Sequence, residues 1–90
     1  MTGAYRVHMS SGAQRVVRSG LPKDVATAVL AFALRSLAND PRGVGTPLSG
    51  VDDGHWIVRR SEYALRYEID DLDRVVRIVA IEAMPEARPS

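Results

Sequence analysis

Apolar and polar positions alternate from Tyr5 to Met9, with Tyr5 and Val7 on one side and Arg6 and His8 on the other, which predicts a short strand. Ser10 and Ser11 then offer N-caps to a helix over about residues 12–19, where Ala13, Val16 and Val17 share one side and Gly20 closes the segment. A second, longer helical pattern follows. Val25, Val29, Phe32 and Ser36 form one row and Ala26, Leu30, Ala33 and Leu37 the adjoining one, a broad apolar stripe. Pro22 suits its first turn, Asp24 complements the helix dipole there, and Asn39-Asp40-Pro41 ends it. Residues 42–54 are rich in Gly, Pro, Ser and Asp without an apolar period, and read as an ordered loop. Residues 56–60, 63–69 and 75–81 then read as three strands of a meander. The middle one sets Tyr63, Leu65, Tyr67 and Ile69 against Ala64, Arg66 and Glu68, a half-buried alternation.

These elements predict an α+β fold of order β-α-α-β-β-β. The sheet is expected to be curved, antiparallel and four-stranded, with both helices packed on one face and Trp56 largely buried beneath the second. Ninety residues hold one hydrophobic core, so residues 1–90 are expected to form a single domain with a short disordered tail at about 85–90. A core of this size is only marginally stable by itself. A partner that covers apolar surface is therefore a natural supplement.

Composition changes this picture little. With no cysteine, a disulfide framework, a thiolate nucleophile and a zinc–thiolate site are all excluded. Met1 to Met9 lacks the apolar run of a secretory signal, and no stretch approaches the roughly 20 apolar residues of a membrane span. The cytoplasm is the expected compartment. The net charge of +1 argues against an overwhelmingly basic nucleic-acid coat, yet residues 1–60 carry +4 and residues 61–90 carry −3. Eleven of the twelve basic residues are arginine, which suits bidentate contacts to phosphate or carboxylate and also follows from a GC-rich genome.

Several isolated constellations have ordinary readings. Gly43-Val44-Gly45-Thr46 has no following lysine and opens no helix, so it is not read as a phosphate loop. His8 and His55 lack ligand partners at local spacing and read as surface histidines beside strand ends. Asp52-Asp53 and Asp70-Asp71-x-Asp73 read as acidic turns, so no metal site and no cofactor are expected.

One set of residues is more specific. Ser11-x-Ala13-x-Arg15 and Leu21-Pro22 are followed by Leu37-x-x-Asp40-Pro41-Arg42-x-x-Gly45-x-Pro47-Leu48, Gly54-x-Trp56 and Arg59-x-x-Glu62-Tyr63-x-x-x-Tyr67-x-Ile69. Over about residues 5–81 this pattern resembles the RelE/ParE toxins of type II toxin–antitoxin systems. The resemblance implies a cognate antitoxin as partner, and a homodimer or a toxin–antitoxin hetero-oligomer as assembly. RelE-like members cleave messenger RNA in the ribosomal A site, whereas ParE-like members inhibit DNA gyrase.

RNA cleavage requires a group that activates the 2′-hydroxyl, cations on the scissile phosphate and an acid for the leaving oxygen. The family assembles these on the concave face of the sheet. This sequence keeps part of that set. Two basic side chains usually alternate along the first meander strand, where Ile57 and Arg59 stand here. The arginine usual after the tyrosine of the next strand is replaced by Ala64, with Arg66 two residues on and on the same face. The basic pair and terminal tyrosine usual at the chain's end are replaced by Ile81-Glu82-Ala83-Met84-Pro85 and a tail without tyrosine. The resemblance thus makes Arg59 and Arg66 the catalytic candidates, with Arg77 as a third phosphate-binding or RNA-binding side chain and Glu68 beside them. Ribosome-dependent cleavage of reduced speed is the expectation. The alternative is a ParE-like or degenerate module that binds an antitoxin or gyrase and cleaves nothing.

Overall fold

The first helix starts where the paired serines predict, because the Ser10 hydroxyl accepts the Ala13 N–H at 3.1 Å and so satisfies a donor that the first turn leaves unpaired. In a computed structural model, which describes residues 4–48 and 54–83, strand β1 (Arg6–Met9) leads into helix α1 (Ser11–Arg15), which continues as a π-helical turn over Val16–Gly20. Helix α2 (Lys23–Phe32) also widens into a π-helical segment, Ala33–Leu37. Its buried positions are Val25, Val29, Ala33 and Leu37, four residues apart each time. Positions four apart drift one way around an α-helix and the other way around a wider π turn, so the change of winding keeps this single line over the sheet. The buried line thus takes Val25 and Val29 from one expected row and Ala33 and Leu37 from the other. Leu30 lies outside the buried line at 39% exposure, and Leu34 is more exposed still.

The sheet departs from expectation in two ways. It has five strands, lying in the order β1, β5 (Val75–Ala83), β4 (Tyr63–Asp70), β3 (His55–Arg59) and β2 (Thr46–Pro47), and its edge strand β1 runs parallel to β5. Of these, β3, β4 and β5 form the expected antiparallel meander. From β1 the chain passes through the helices and the other strands before β5 returns beside it, and so long a connection permits the parallel arrangement. The extra strand, β2 (Thr46–Pro47), comes from the expected loop and pairs with β3. The same stretch contains helix α3 (Pro41–Val44), whose N-cap Asp40 accepts the Gly43 N–H at 3.1 Å. A local cap and a neighbouring strand therefore order a segment in which no apolar period is visible.

Tyr63, Leu65 and Tyr67 of β4 and Val76, Ile78 and Ile81 of β5 form the core with Val58 and the helix residues Ala13, Val25, Val29, Ala33 and Leu37. Cross-strand pairing shifts by one between Arg66–Ala80 and Tyr67–Ile78, which leaves Val79 as a bulge. The Ser10 hydroxyl donates to the Val79 carbonyl at 3.3 Å, so the first helix cap also covers that irregularity. Trp56 is only half-buried, against the expectation. It lies on β3, whose outer neighbour is the two-residue β2, while the deepest positions belong to β4 and β5. The expected tail at 85–90 and the acidic pair Asp52-Asp53 lie outside the described residues.

Candidate functional site

The alternation of β4 that buries Tyr63, Leu65 and Tyr67 turns Ala64, Arg66 and Glu68 to the face away from the helices, here called the outer face. Pairing arranges that face in rows across the strands. Arg59, Ala64 and Glu82 form one row, and Thr46, Ile57, Arg66 and Ala80 the next. The third row is His55, Glu68, Arg77 and His8, drawn from four strands. The three arginines singled out in the sequence therefore share one face. Arg59 is exposed on β3, Arg66 is half-buried at the centre on β4, and Arg77 is exposed on β5. Ile57, Ala64, Leu65, Arg66, Ala80 and Glu82 line a small depression among them, largely apolar in its floor.

The third row is a connected set that the sequence reading missed. Glu68 accepts from Arg77 Nη1 at 3.2 Å through Oε1, and its Oε2 lies 2.8 Å from His55 Nε2. His55 is thus no surface histidine. Its side chain is 23% exposed, and its Nδ1 is buried with no hydrogen-bond partner among the described residues. Its partner Glu68 is 13 residues distant in the chain, and Arg77, which shares that partner, is 22, so a search at local spacing could not find them. The signal available was parity: His55, Glu68 and Arg77 all fall on outward positions of their strands.

The other half of the sequence pattern is architectural. Pro41 is buried, and its carbonyl accepts the Tyr67 hydroxyl at 2.6 Å in the core. Burial, and then the Asp40 charge, push the Tyr67 phenol up to about 12. A Cβ on Gly45 would fall 2.0 Å from that hydroxyl and 3.0 Å from the Ile57 carbonyl, so only glycine fits. A Cβ on Gly43 would fall 2.0 Å from the Asp40 carboxylate that caps α3. Arg42 grips Asp71 with two hydrogen bonds, at 2.7 and 3.1 Å, and the Tyr5 hydroxyl donates to the same carboxylate at 2.7 Å. These bonds, Arg42 first, hold the Asp71 carboxyl down to about 2 and raise the Arg42 guanidinium above its ordinary range. Asp70-Asp71-x-Asp73 is indeed a turn, with Asp70 accepting the Asp73 N–H at 3.1 Å. Asp40-Pro41-Arg42 and Gly45 accordingly hold the connection between the helices and the sheet, while the arginines singled out in the sequence lie on the outer face.

No protein-family model matches the chain. Among individual proteins, the toxin RelG of Mycobacterium tuberculosis is 35% identical over 78 residues, which span 87% of this chain and 88% of that protein. The toxin RelE of the same organism is 34% identical over 77 residues, 86% and 78% of the two chains. In the crystal structure of the toxin–antitoxin complex RelBE2 from Mycobacterium tuberculosis, one chain matches with a TM-score of 0.89 at 31% identity, covering 96% of this chain and 98% of that one. No helix among the described residues is long and apolar enough to cross a membrane. Relatives at this level of identity over most of both chains, with a backbone that superposes this well, make the chain a member of the RelE-like toxins of the RelE/ParE superfamily.

Proposed function

We propose that this chain is the toxin of a type II toxin–antitoxin pair, that it acts in the cytoplasm, and that it cleaves ribosome-bound messenger RNA as an endoribonuclease. Translation is inhibited as a consequence. The observation that carries the reading is the grouping of Arg59, Arg66 and Arg77 on one sheet face, on three adjacent strands. Neighbouring strands lie about 4.8 Å apart and successive rows about 7 Å, so the three cations form a diagonal band with Arg66 in the middle, within side-chain reach of a phosphate shared with a neighbour. Arg59 and Arg66 contact the scissile phosphate, and Arg77 adds to the field while it holds Glu68.

The partner is an antitoxin segment that orders on binding and covers apolar surface together with some of these arginines. In support, the RelBE2 relative is a toxin–antitoxin complex. One observation favours a second reading, in which the domain binds an antitoxin or gyrase without cleavage: the outer face carries Ile57 and Ala64 where the family usually has cations. Induction in a bacterial host, followed by primer extension on ribosome-bound message, separates the two. Cleavage by wild type, lost or strongly reduced in Arg59→Ala and Arg66→Ala, is the expected result. Cleavage retained by both variants refutes the site assignment, and growth arrest without cleavage selects the second reading. Co-expression with the adjacent reading frame tests the partner, and an unchanged melting temperature with no surviving complex refutes the pairing.

A further inference from the structure

Glu68 is held from two sides on the outer face, by His55 from β3 and by Arg77 from β5. A carboxylate oxygen has two acceptor positions. Each of the two oxygens therefore keeps one position vacant of these bonds, and the side chain is 37% exposed. The hydrogen of His55 belongs on Nε2, where it is donated to Glu68. On Nδ1 it would be a buried donor with no acceptor among the described residues. His55 thus orients Glu68 with a fixed donor, and Arg77 fixes the other oxygen. Arg66 stands two residues earlier on the same strand and face, about 7 Å away along the backbone. A preorganised carboxylate and a cation are placed side by side, which is the pairing needed for a nucleotide's 2′-hydroxyl and the phosphate next to it.

We infer that Glu68 is the general base of the cleavage proposed above, an inference that rests on that reading, with His55 as its positioning residue. The Glu68 carboxylate takes the proton of the 2′-hydroxyl while the 2′-oxygen bonds to phosphorus. The bond from phosphorus to the 5′-oxygen breaks and its electron pair stays on that oxygen. A water protonates the leaving oxygen, and the hydroxide so formed takes the proton from Glu68, which restores the carboxylate. The products are a 2′,3′-cyclic phosphate and a 5′-hydroxyl end. This arrangement supplies a carboxylate held from two sides at the centre of the sheet, where the end of β5 lacks the basic pair usual in the family.

The test is the single-turnover rate of message cleavage by the purified full chain, on ribosomes programmed with a defined A-site codon. Glu68→Gln should slow cleavage about 10²–10⁴-fold, with ribosome affinity unchanged. His55→Ala should slow it about tenfold through misplacement of the base, and His55→Gln should recover most of the loss. In a Glu68→Gln background His55→Ala should have no further effect, whereas a merely structural histidine would be felt in both backgrounds. If Glu68→Gln fails to fold by its melting curve, Glu68→Asp carries the test: slowed cleavage is expected, and wild-type speed overturns the inference. Wild-type cleavage matched by a folded Glu68→Gln overturns the inference and leaves the ribonuclease reading standing. No cleavage by wild type overturns both.

Discussion

Replacing Tyr67 by phenylalanine removes one oxygen from the most enclosed part of the core, where the residue has no exposure and donates to the Pro41 carbonyl at 2.6 Å. The ring still fills its space. The cost is then the lost hydrogen bond and a carbonyl left without that donor, about 1–3 kcal/mol. For a domain of this size each kcal/mol lowers the melting temperature by about 4–8 °C. A second consequence lies in alkali. Because the folded state raises the Tyr67 phenol from 10.0 to about 12, the stability tied to this group is fully present below pH 10 and is lost as pH rises through about 12. Two pH units correspond to on the order of 3 kcal/mol. Denaturant titrations of both proteins from pH 8 to 12 should therefore converge, with the phenylalanine variant less stable at pH 8 and less sensitive to alkali. Burial also raises Tyr63, so the variant should keep part of the alkaline loss. Gly45→Ala should be less costly in the Tyr67→Phe background, since the hydroxyl it would meet first is gone. Parallel alkaline profiles, or strictly additive costs of the two substitutions, would refute the proposed contact among Tyr67, Pro41 and Gly45.

Three further outcomes can be checked by similar means. Asp71→Asn should lower stability at neutral pH and make the fold less sensitive to acid. The Asp71 carboxyl is depressed, so its contribution is present above the ordinary carboxylate range and is lost as pH falls through about 2; the variant's acid unfolding curve should lack that component. Trp56→Ala should cost about 2–3 kcal/mol, below the 3–5 typical of a fully buried aromatic, because the ring is half-buried; equilibrium unfolding in urea measures it. Ser10→Ala should cost about 1 kcal/mol by loss of the α1 cap, again read from urea unfolding, and an unchanged midpoint would remove the cap from the account.

Most of the element order is legible in the chain because each period belongs to one kind of backbone. The alternation over residues 63–69 puts Tyr63, Leu65 and Tyr67 on the helix side, the helical stripe over residues 25–37 buries one line, and both elements stand in the structure where the pattern puts them. The apolar stripe was legible but its width was not. Which of Leu30 and Ala33 faces the sheet depends on the winding of α2 and its π segment, and that is set by the surface it packs on.

The sequence by itself determined the α+β class, the resemblance to RelE-like toxins and the outward side of each strand, since these depend on local periodicity and residue identity. Alternation says which way a side chain points and nothing about which strand lies next door. The parallel pairing of β1 with β5, the strand β2 and the helix α3 therefore appear only when the chain is folded. The same holds for the site. Arg59, Arg66 and Arg77 could be assigned to one face from the sequence, but the alignment of His55 with Glu68 and Arg77 is a matter of register between strands. A slip of one residue would turn every side chain of a strand to the other face and bury these charges. Register is held by the packing of Leu65, Tyr67 and Ile78 on the side facing the helices, so the hydrophobic core decides which polar groups meet on the outer face.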